Sequence, residues 1–165
     1  EISTRDWSSD VCSSDLAFAD DRDFALVLKT RFDSADPAVR RRQAAEAAFA
    51  AFPRLQRIAC TLRVQESVAD QALSAVMLTR GDDGGVIETN AEAIHMAGVV
   101  DRVGGGDAFA SGVLFGLWSG WPDQEALDFG LAAAGLKHSV PGDFNLFGAE
   151  EVRAAMGAGG FDIRR

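Results

Sequence analysis

The chain has 165 residues, 47% of them hydrophobic and 25% charged, a composition that fits a globular domain with a core of its own. Its 16 Lys and Arg stand against 25 Asp and Glu, a net charge of -9, which argues against nucleic acid as a partner because counterion release needs clustered cations. No apolar run reaches the roughly 18 residues of a membrane span, so a membrane is not an expected partner either.

The first residues are polar and acidic and lack the apolar stretch of a secretory signal. Residues Arg5 to Leu16, RDWSSDVCSSDL, show neither the strand nor the helix period and repeat SSD. They resemble the translation of a short-read sequencing adapter. The expectation is a non-native segment over residues 1–16, in which Trp7 and Cys12 carry no function, followed by one domain over residues 17–165. Residues 17–36 are mixed in character. Asp36 suits a helix N-cap and Pro37 the first helical position. An Ala-rich helix is therefore predicted over 38–51, with Ala45, Phe49 and Phe52 on one face and Pro53 at its end. Arg40, Arg41 and Arg42 read as its solvated face. Leu55–Leu62 reads as a buried strand, and Ala75–Thr79 and Val86–Thr89 as a hairpin turning through Gly81–Gly85. Cys60 lies in the first of these apolar runs and reads as a buried free thiol, which points to the cytoplasm. Cys12 and Cys60 have no metal-ligand spacing.

Gly98–Asp101 reads as a short strand entering the loop Arg102-Val103-Gly104-Gly105-Gly106. A helix is predicted from Asp107 to about Gly120; it is apolar nearly all round and should be buried on most sides. Trp121-Pro122-Asp123 breaks it and opens another helix, with Asp123 and Glu125 at the start and Lys137 and His138 at the end, as the helix dipole favours. Pro141-Gly142-Asp143 is a loop, Glu150–Met156 a last short helix, and Gly157–Gly160 a flexible tail. This order is an α/β pattern with part of its sheet missing.

The chemistry concentrates in DRVGGGDAFASG, Asp101 to Gly112. Three glycines before a helix let the backbone turn tightly and let a ligand approach. The first N–H groups of the helix have no internal acceptor, and with the helix dipole they make an anion site. Asp107, in the first turn, could accept the proton of an attacking hydroxyl. The plainer reading is a tight strand-to-helix loop, with Asp107 as a dipole partner only. A dinucleotide site would need G-x-G-x-x-G and an acid about twenty residues on, and the immediate Asp107 fits that poorly. His138 read alone is a helix-end cation or a satisfied polar group, His95 a lone loop histidine, and Arg63 a surface arginine.

The longer string DRVGGGDAFASGVLFGL resembles the C-terminal signature of the ribokinase/PfkB carbohydrate kinases, with Asp101, Gly104, Gly105, Gly106, Asp107, Ala108, Ser111 and Gly112 matching in place. Arg102 departs from the small or hydroxyl residue usual after the acid, and in this the chain resembles the 2-keto-3-deoxygluconate kinases. LKHSVPGDFN, Leu136 to Asn145, and the order Thr61-Leu62-Arg63 resemble the same subgroup. The resemblance implies the C-terminal, nucleotide-binding portion of a ribokinase-like three-layer α/β/α fold with an incomplete sheet. It implies phosphorylation of a sugar or sugar-acid hydroxyl by ATP with Mg²⁺, 2-keto-3-deoxygluconate to its 6-phosphate foremost. Asp107 would be the catalytic base, and Gly104, Gly105 and Gly106 the anion hole. Thr61, Arg63, His138 and Asn145 would border the nucleotide, and Asp101 would stand where some relatives bind a monovalent cation. The kinases of this family are about twice as long, so the expectation for the isolated chain is an inactive fragment that binds nucleotide weakly at most.

Overall fold

A computed structural model describes residues 15–65 and 70–156. Trp7, Cys12 and the tail Gly157–Gly160 lie outside the described residues, as does the proposed non-native segment apart from Asp15 and Leu16. The elements in chain order are β1 (Leu16–Phe18), α1 (Asp21–Val27), α2 (Pro37–Ala51), β2 (Arg57–Gln65), β3 (Asp70–Arg80), β4 (Val86–Ala97), α3 (Gly105–Trp118), α4 (Asp123–Lys137) and α5 (Ala149–Met156).

The strands form a sheet in the order β1-β2-β3-β4. β1 and β2 are parallel, with Leu16 opposite Arg57, Ala17 opposite Ile58 and Phe18 opposite Ala59. A parallel pair needs a long crossover, and α1 and α2 supply it. β3 and β4 are joined by the turn Gly81–Gly85, closed by Gly81 N–H donating to the Gly85 carbonyl at 2.8 Å. So short a link permits only antiparallel pairing. Arg80 N–H, at the end of β3, donates to the carbonyl of Gln56, just ahead of β2, at 2.8 Å, so β3 runs antiparallel to β2 as well. The sheet is therefore mixed.

The described residues divide into two compact units, one of residues up to 60 with 77–88 and the other of residues 61–76 with 89 onward. In the first, Phe24, Ala44, Ala45, Ala48, Phe49, Leu55, Ile58 and Met77 are buried. Asp36 caps α2 through the Ala38 N–H, as its position ahead of Pro37 predicts. Arg80 donates to the carbonyls of Phe49 in the last turn of α2, of Phe52 at its C-cap and of Leu55 beyond it, and lies 4.9 Å above the Phe49 ring. The three arginines of α2 are not a plain solvated face. Arg40 pairs with Asp21 of α1 at 3.0 Å and Arg42 donates to the Val86 carbonyl at 3.1 Å. Cys60 is a free thiol, half-buried, and burial pushes its pKa up to about 11.

The second unit is built on α3 and α4. They approach through small residues: a Cβ on Gly112 would lie 2.7 Å from the Gly130 Cα, and one on Gly116 would lie 2.7 Å from the Ala126 Cα. The helix backbones are thus nearly in contact, and only glycine fits there. Phe115, Trp121 and Phe129 cluster beyond the glycines, with ring centroids 5.3 to 5.5 Å apart, and Arg153 of α5 covers Trp121 at 4.2 Å. Burial of α3 is one-sided: Ala108, Phe109, Gly112, Val113 and Gly116 are covered, whereas Leu114, Phe115 and Trp118 are exposed. The expectation of burial on most sides does not hold, because only the face turned to α4 is covered. No helix among the described residues is long and apolar enough to cross a membrane.

Residues 98–101 are not a strand. β4 runs on to Ala97, and the N–H groups of Val100 and Asp101 donate instead to the His138 carbonyl at 2.9 and 3.3 Å. The backbone is satisfied by the end of α4 rather than by a sheet neighbour.

Candidate active site

The second unit holds the glycine loop. Gly104 is the N-cap of α3 with φ +77°, a left-handed conformation that glycine adopts without strain. A side chain there would also run into the Asp143 carbonyl, whose carbon would be 2.9 Å from the new Cβ. The helix starts at Gly105, earlier than the glycines alone indicated. Gly105 N–H donates to the Arg102 carbonyl at 3.3 Å and Ala108 N–H to the Gly104 carbonyl at 2.9 Å. Between them, the Gly106 and Asp107 N–H groups meet no acceptor among the described residues. Both residues are exposed, and a Cβ on Gly106 would meet open space. Two such donors at the positive end of a 14-residue helix are an arrangement that can receive an anion. The Asp107 side chain, in the same turn, is exposed and has no hydrogen-bond or ion-pair partner among the described residues.

Asp101 braces the loop. One carboxylate oxygen accepts from Val103 N–H at 3.0 Å and the other from Gly142 N–H at 2.8 Å. These bonds, Val103 first, hold its pKa below the usual carboxylate value. The carboxylate thereby ties the segment before α3 to the turn after α4, the same turn whose Asp143 carbonyl leans on Gly104. Lys137 is wholly buried and donates from Nζ to the Val140 carbonyl at 3.1 Å, closing that turn from inside.

His138 is the C-cap of α4 and is 3% exposed. Its Nδ1 lies 2.6 Å from the Ala134 carbonyl, which can only accept, so Nδ1 carries the proton. Nε2 is then an acceptor, and Arg63 Nη2 stands 3.4 Å from it. Burial, the largest influence, holds the imidazole pKa below its ordinary value, and Arg63, Lys137 and Arg102 add to that. The ring lies directly beneath Gly105, where a Cβ would come within 2.7 Å of Cε1. Of the two readings of His138 taken alone, the satisfied polar group fits and the helix-end cation does not, since a buried imidazole beside arginine favours the neutral form.

Thr61 and Arg63 sit two residues apart on β2, half-buried and exposed respectively. Asn145 is exposed and its side chain accepts from Phe147 N–H at 3.2 Å, shaping its own loop. His95 is exposed near the end of β4 rather than in a loop. The structure thus brings Asp101, Gly104, Gly105, Gly106, Asp107, Arg63 and His138 into one connected group, whereas Thr61 and Asn145 are not joined to it by any described contact. Lys137 and the Asp143 carbonyl belong to the group as well. A lysine at a helix end reads as a surface cation in sequence, and nothing in the residue order marks it as internal. Among the described residues no three of His, Cys, Asp and Glu cluster as a metal cage.

The sequence profile of the pfkB family carbohydrate kinases matches residues 15–146. The chain belongs to this family. Over 104 residues it is 33% identical to the 2-dehydro-3-deoxygalactonokinase of Haloferax volcanii, a stretch covering 61% of this chain and 33% of that protein. Over 103 residues it is 33% identical to the 2-dehydro-3-deoxygluconokinase of Bacillus subtilis, covering 57% of this chain and 32% of that protein. Among solved structures, a PfkB family carbohydrate kinase from Listeria grayi superposes with a TM-score of 0.77 at 28% identity, over 92% of this chain and 44% of the other. The 2-dehydro-3-deoxygluconokinase of Thermotoga maritima gives 0.74 at 27% identity, over 86% and 41%. The fold is therefore ribokinase-like α/β, with a sheet that is incomplete beside the longer pfkB kinases. The matched stretch spans about a third of the length of these curated relatives. Within the pfkB family match fall β1 to α4 and the whole connected group around the glycine loop.

Proposed function

We propose that this chain is the phosphoryl-handling portion of an ATP-dependent kinase that phosphorylates a hydroxyl of a sugar acid, 2-keto-3-deoxygluconate to its 6-phosphate being the leading reaction. The observation that carries the reading is the pair of N–H groups of Gly106 and Asp107 at the start of α3 that meet no acceptor among the described residues, with the Asp107 carboxylate, likewise unpaired among them, in the same turn. In phosphoryl transfer the substrate hydroxyl oxygen forms a bond to the terminal phosphorus and the bond to the nucleotide's bridging oxygen breaks. Negative charge spreads over the oxygens in flight, and fixed donors stabilise it. Asp107 takes the hydroxyl proton as the new bond forms. Gly104, Gly105 and Gly106 leave room for the phosphate to reach the backbone. Thr61, Arg63, His138 and Asn145 border the nucleotide in this reading. Mg²⁺ fits as a companion of the phosphates, since such sites use one or two carboxylates plus phosphate oxygens rather than a protein cage. A monovalent cation beside Asp101 is part of the same proposal: both carboxylate oxygens already accept one N–H each and retain further lone pairs. The free thiol of Cys60 supports a cytoplasmic setting. The match to only about a third of the relatives' length supports a second reading, in which the 165-residue chain alone binds nucleotide without turnover.

In an enzyme that carries this stretch at the full length of its relatives, Asp107→Asn keeps size and polarity and removes the base. Turnover should fall about 10²–10⁴-fold, the usual worth of general-base catalysis, with nucleotide affinity little changed because the backbone donors remain. Near-normal turnover removes the catalytic assignment. For the isolated chain, a coupled ADP-release assay with 2-keto-3-deoxygluconate should read at background, and robust turnover would overturn the fragment reading. The adapter-like residues 5–16 are tested by amplifying the source locus: a native gene that encodes them refutes the non-native reading.

A further inference from the structure

His138 is buried, yet it joins several parts of the glycine-loop group at once. Its carbonyl accepts from Val100 and Asp101, its Nδ1–H donates to Ala134, its ring fills the space that Gly105 leaves, and its Nε2 faces Arg63. Arg63 is exposed, and this imidazole is its only partner among the described residues. A guanidinium offers five N–H donors, so most of them meet no acceptor among the described residues. In a chain with 25 carboxylate side chains, Arg63 has no ion pair with any described one.

We propose that His138 is a positioning residue whose neutral imidazole holds the Arg63 guanidinium beside the first turn of α3, so that its remaining N–H groups bind the terminal phosphate oxygens of a nucleotide; this rests on the nucleotide-binding reading above. A carboxylate in the place of the imidazole would also orient Arg63, but it would cancel the charge that a phosphate needs. A neutral acceptor orients the guanidinium and leaves its charge intact, and the planar fork suits phosphate oxygens. Nε2 would lie 3.3 Å from a Cβ on Gly105 and is 3.4 Å from Arg63 Nη2. The guanidinium and the glycine turn therefore both lie against one imidazole. Gly105 precedes the two unpaired N–H groups directly, so the side-chain donors and the main-chain donors converge on one region. The absence of a side chain at Gly105 is what lets the ring sit there.

The test is calorimetric binding of ADP, inorganic tripolyphosphate and adenosine to the 165-residue chain, with folding followed by circular dichroism. Arg63→Ala should weaken ADP and tripolyphosphate roughly tenfold, the scale of one charge-assisted hydrogen-bonded contact, and leave adenosine unchanged. His138→Leu removes the acceptor at similar bulk and should reproduce that loss. His138→Gln, whose amide oxygen can accept, should restore most of it. The double variant R63A/H138L should bind no more weakly than R63A alone, since His138 acts through Arg63. A further loss in the double variant, or ADP affinity indifferent to Arg63, overturns the positioning role and leaves the nucleotide reading standing. A wild-type chain that takes up neither ADP nor tripolyphosphate overturns both. Should H138L fail to fold, ¹⁵N-histidine NMR decides. Tripolyphosphate should shift the His138 Nε2 resonance in the wild type and not in R63A, and equal behaviour in the two overturns the proposal.

Discussion

Gly104→Ala separates backbone strain from steric collision at the glycine loop. Gly104 has φ +77°, where an L-residue costs about 1–2 kcal/mol. The new methyl would also meet the Asp143 carbonyl, and forcing a group into a filled space costs about 1–3 kcal/mol more. The expected loss is therefore about 2–5 kcal/mol, a fall in melting temperature of roughly 5–15 °C for a chain of this size. Gly120 is the internal control. It has the same φ of +77°, follows α3, and an added Cβ would meet nothing within 4 Å. Gly120→Ala should thus show the strain alone, about 1–2 kcal/mol. Thermal melts of the two variants, run beside the wild type by circular dichroism, measure the difference. If Gly104→Ala melts no lower than Gly120→Ala, the turn at Asp143 does not rest on Gly104 and the packing of these two loops is misread. Because the same turn supplies the Gly142 N–H to Asp101, Gly104→Ala should also speed hydrogen exchange at Gly142, and Gly120→Ala should not.

Three further outcomes follow from the structure. His138 has a folded-state pKa below its unfolded value of about 6.5, so proton uptake favours the unfolded chain. Stability should be full above pH 6.5 or so and decline as pH falls below it, with Arg63, Lys137 and Arg102 facing the ring; melting curves of His138→Gln across the same range should be flatter, and identical slopes refute the assignment. Gly130→Ala would place a Cβ 2.9 Å from the Phe109 carbonyl oxygen and 3.1 Å from the Val113 nitrogen of α3, and should cost about 1–3 kcal/mol in a chemical denaturation series. Cys60, with its thiol pushed up to about 11, should react with iodoacetamide at pH 8 much more slowly in the folded chain than in denaturant; equal rates would show an accessible, ordinary thiol.

Local chemistry made much of this fold legible. Asp36-Pro37 marked the start of α2, the Gly/Asp cluster at 81–85 marked a hairpin turn, and Trp121-Pro122 marked the break between α3 and α4. Each of these signals is a property of a few adjacent residues. α1 carried one too: Asp20 accepts from the Arg22 and Asp23 N–H groups while the Asp23 side chain accepts from Asp20 N–H, a capping box readable as D-x-x-D. The strand expected at 98–101 failed for the opposite reason. Its valines have strand character, but the acceptor for Val100 and Asp101 is His138, nearly forty residues on. The glycine motif likewise showed where α3 begins and not what surrounds its first turn. The bond from Gly142 N–H to Asp101, the ring of His138 under Gly105, and the internal Lys137 all depend on chain segments that meet only after folding.

The near-contact of α3 and α4 has a consequence for how this site can be lost. The donors at Gly106 and Asp107 are main-chain atoms, so no side-chain replacement deletes them; they can only be moved. What fixes their direction is the axis of α3, and that axis is set by the glycine face shared with α4, at Gly112, Gly116 and Gly130. A methyl group added there would press on the facing helix, and any shift of α3 that relieves the contact would move the donors with it. In the proposed reading, phosphate affinity would therefore depend on positions that carry no functional group, and a survey of variants by chemistry alone would overlook them.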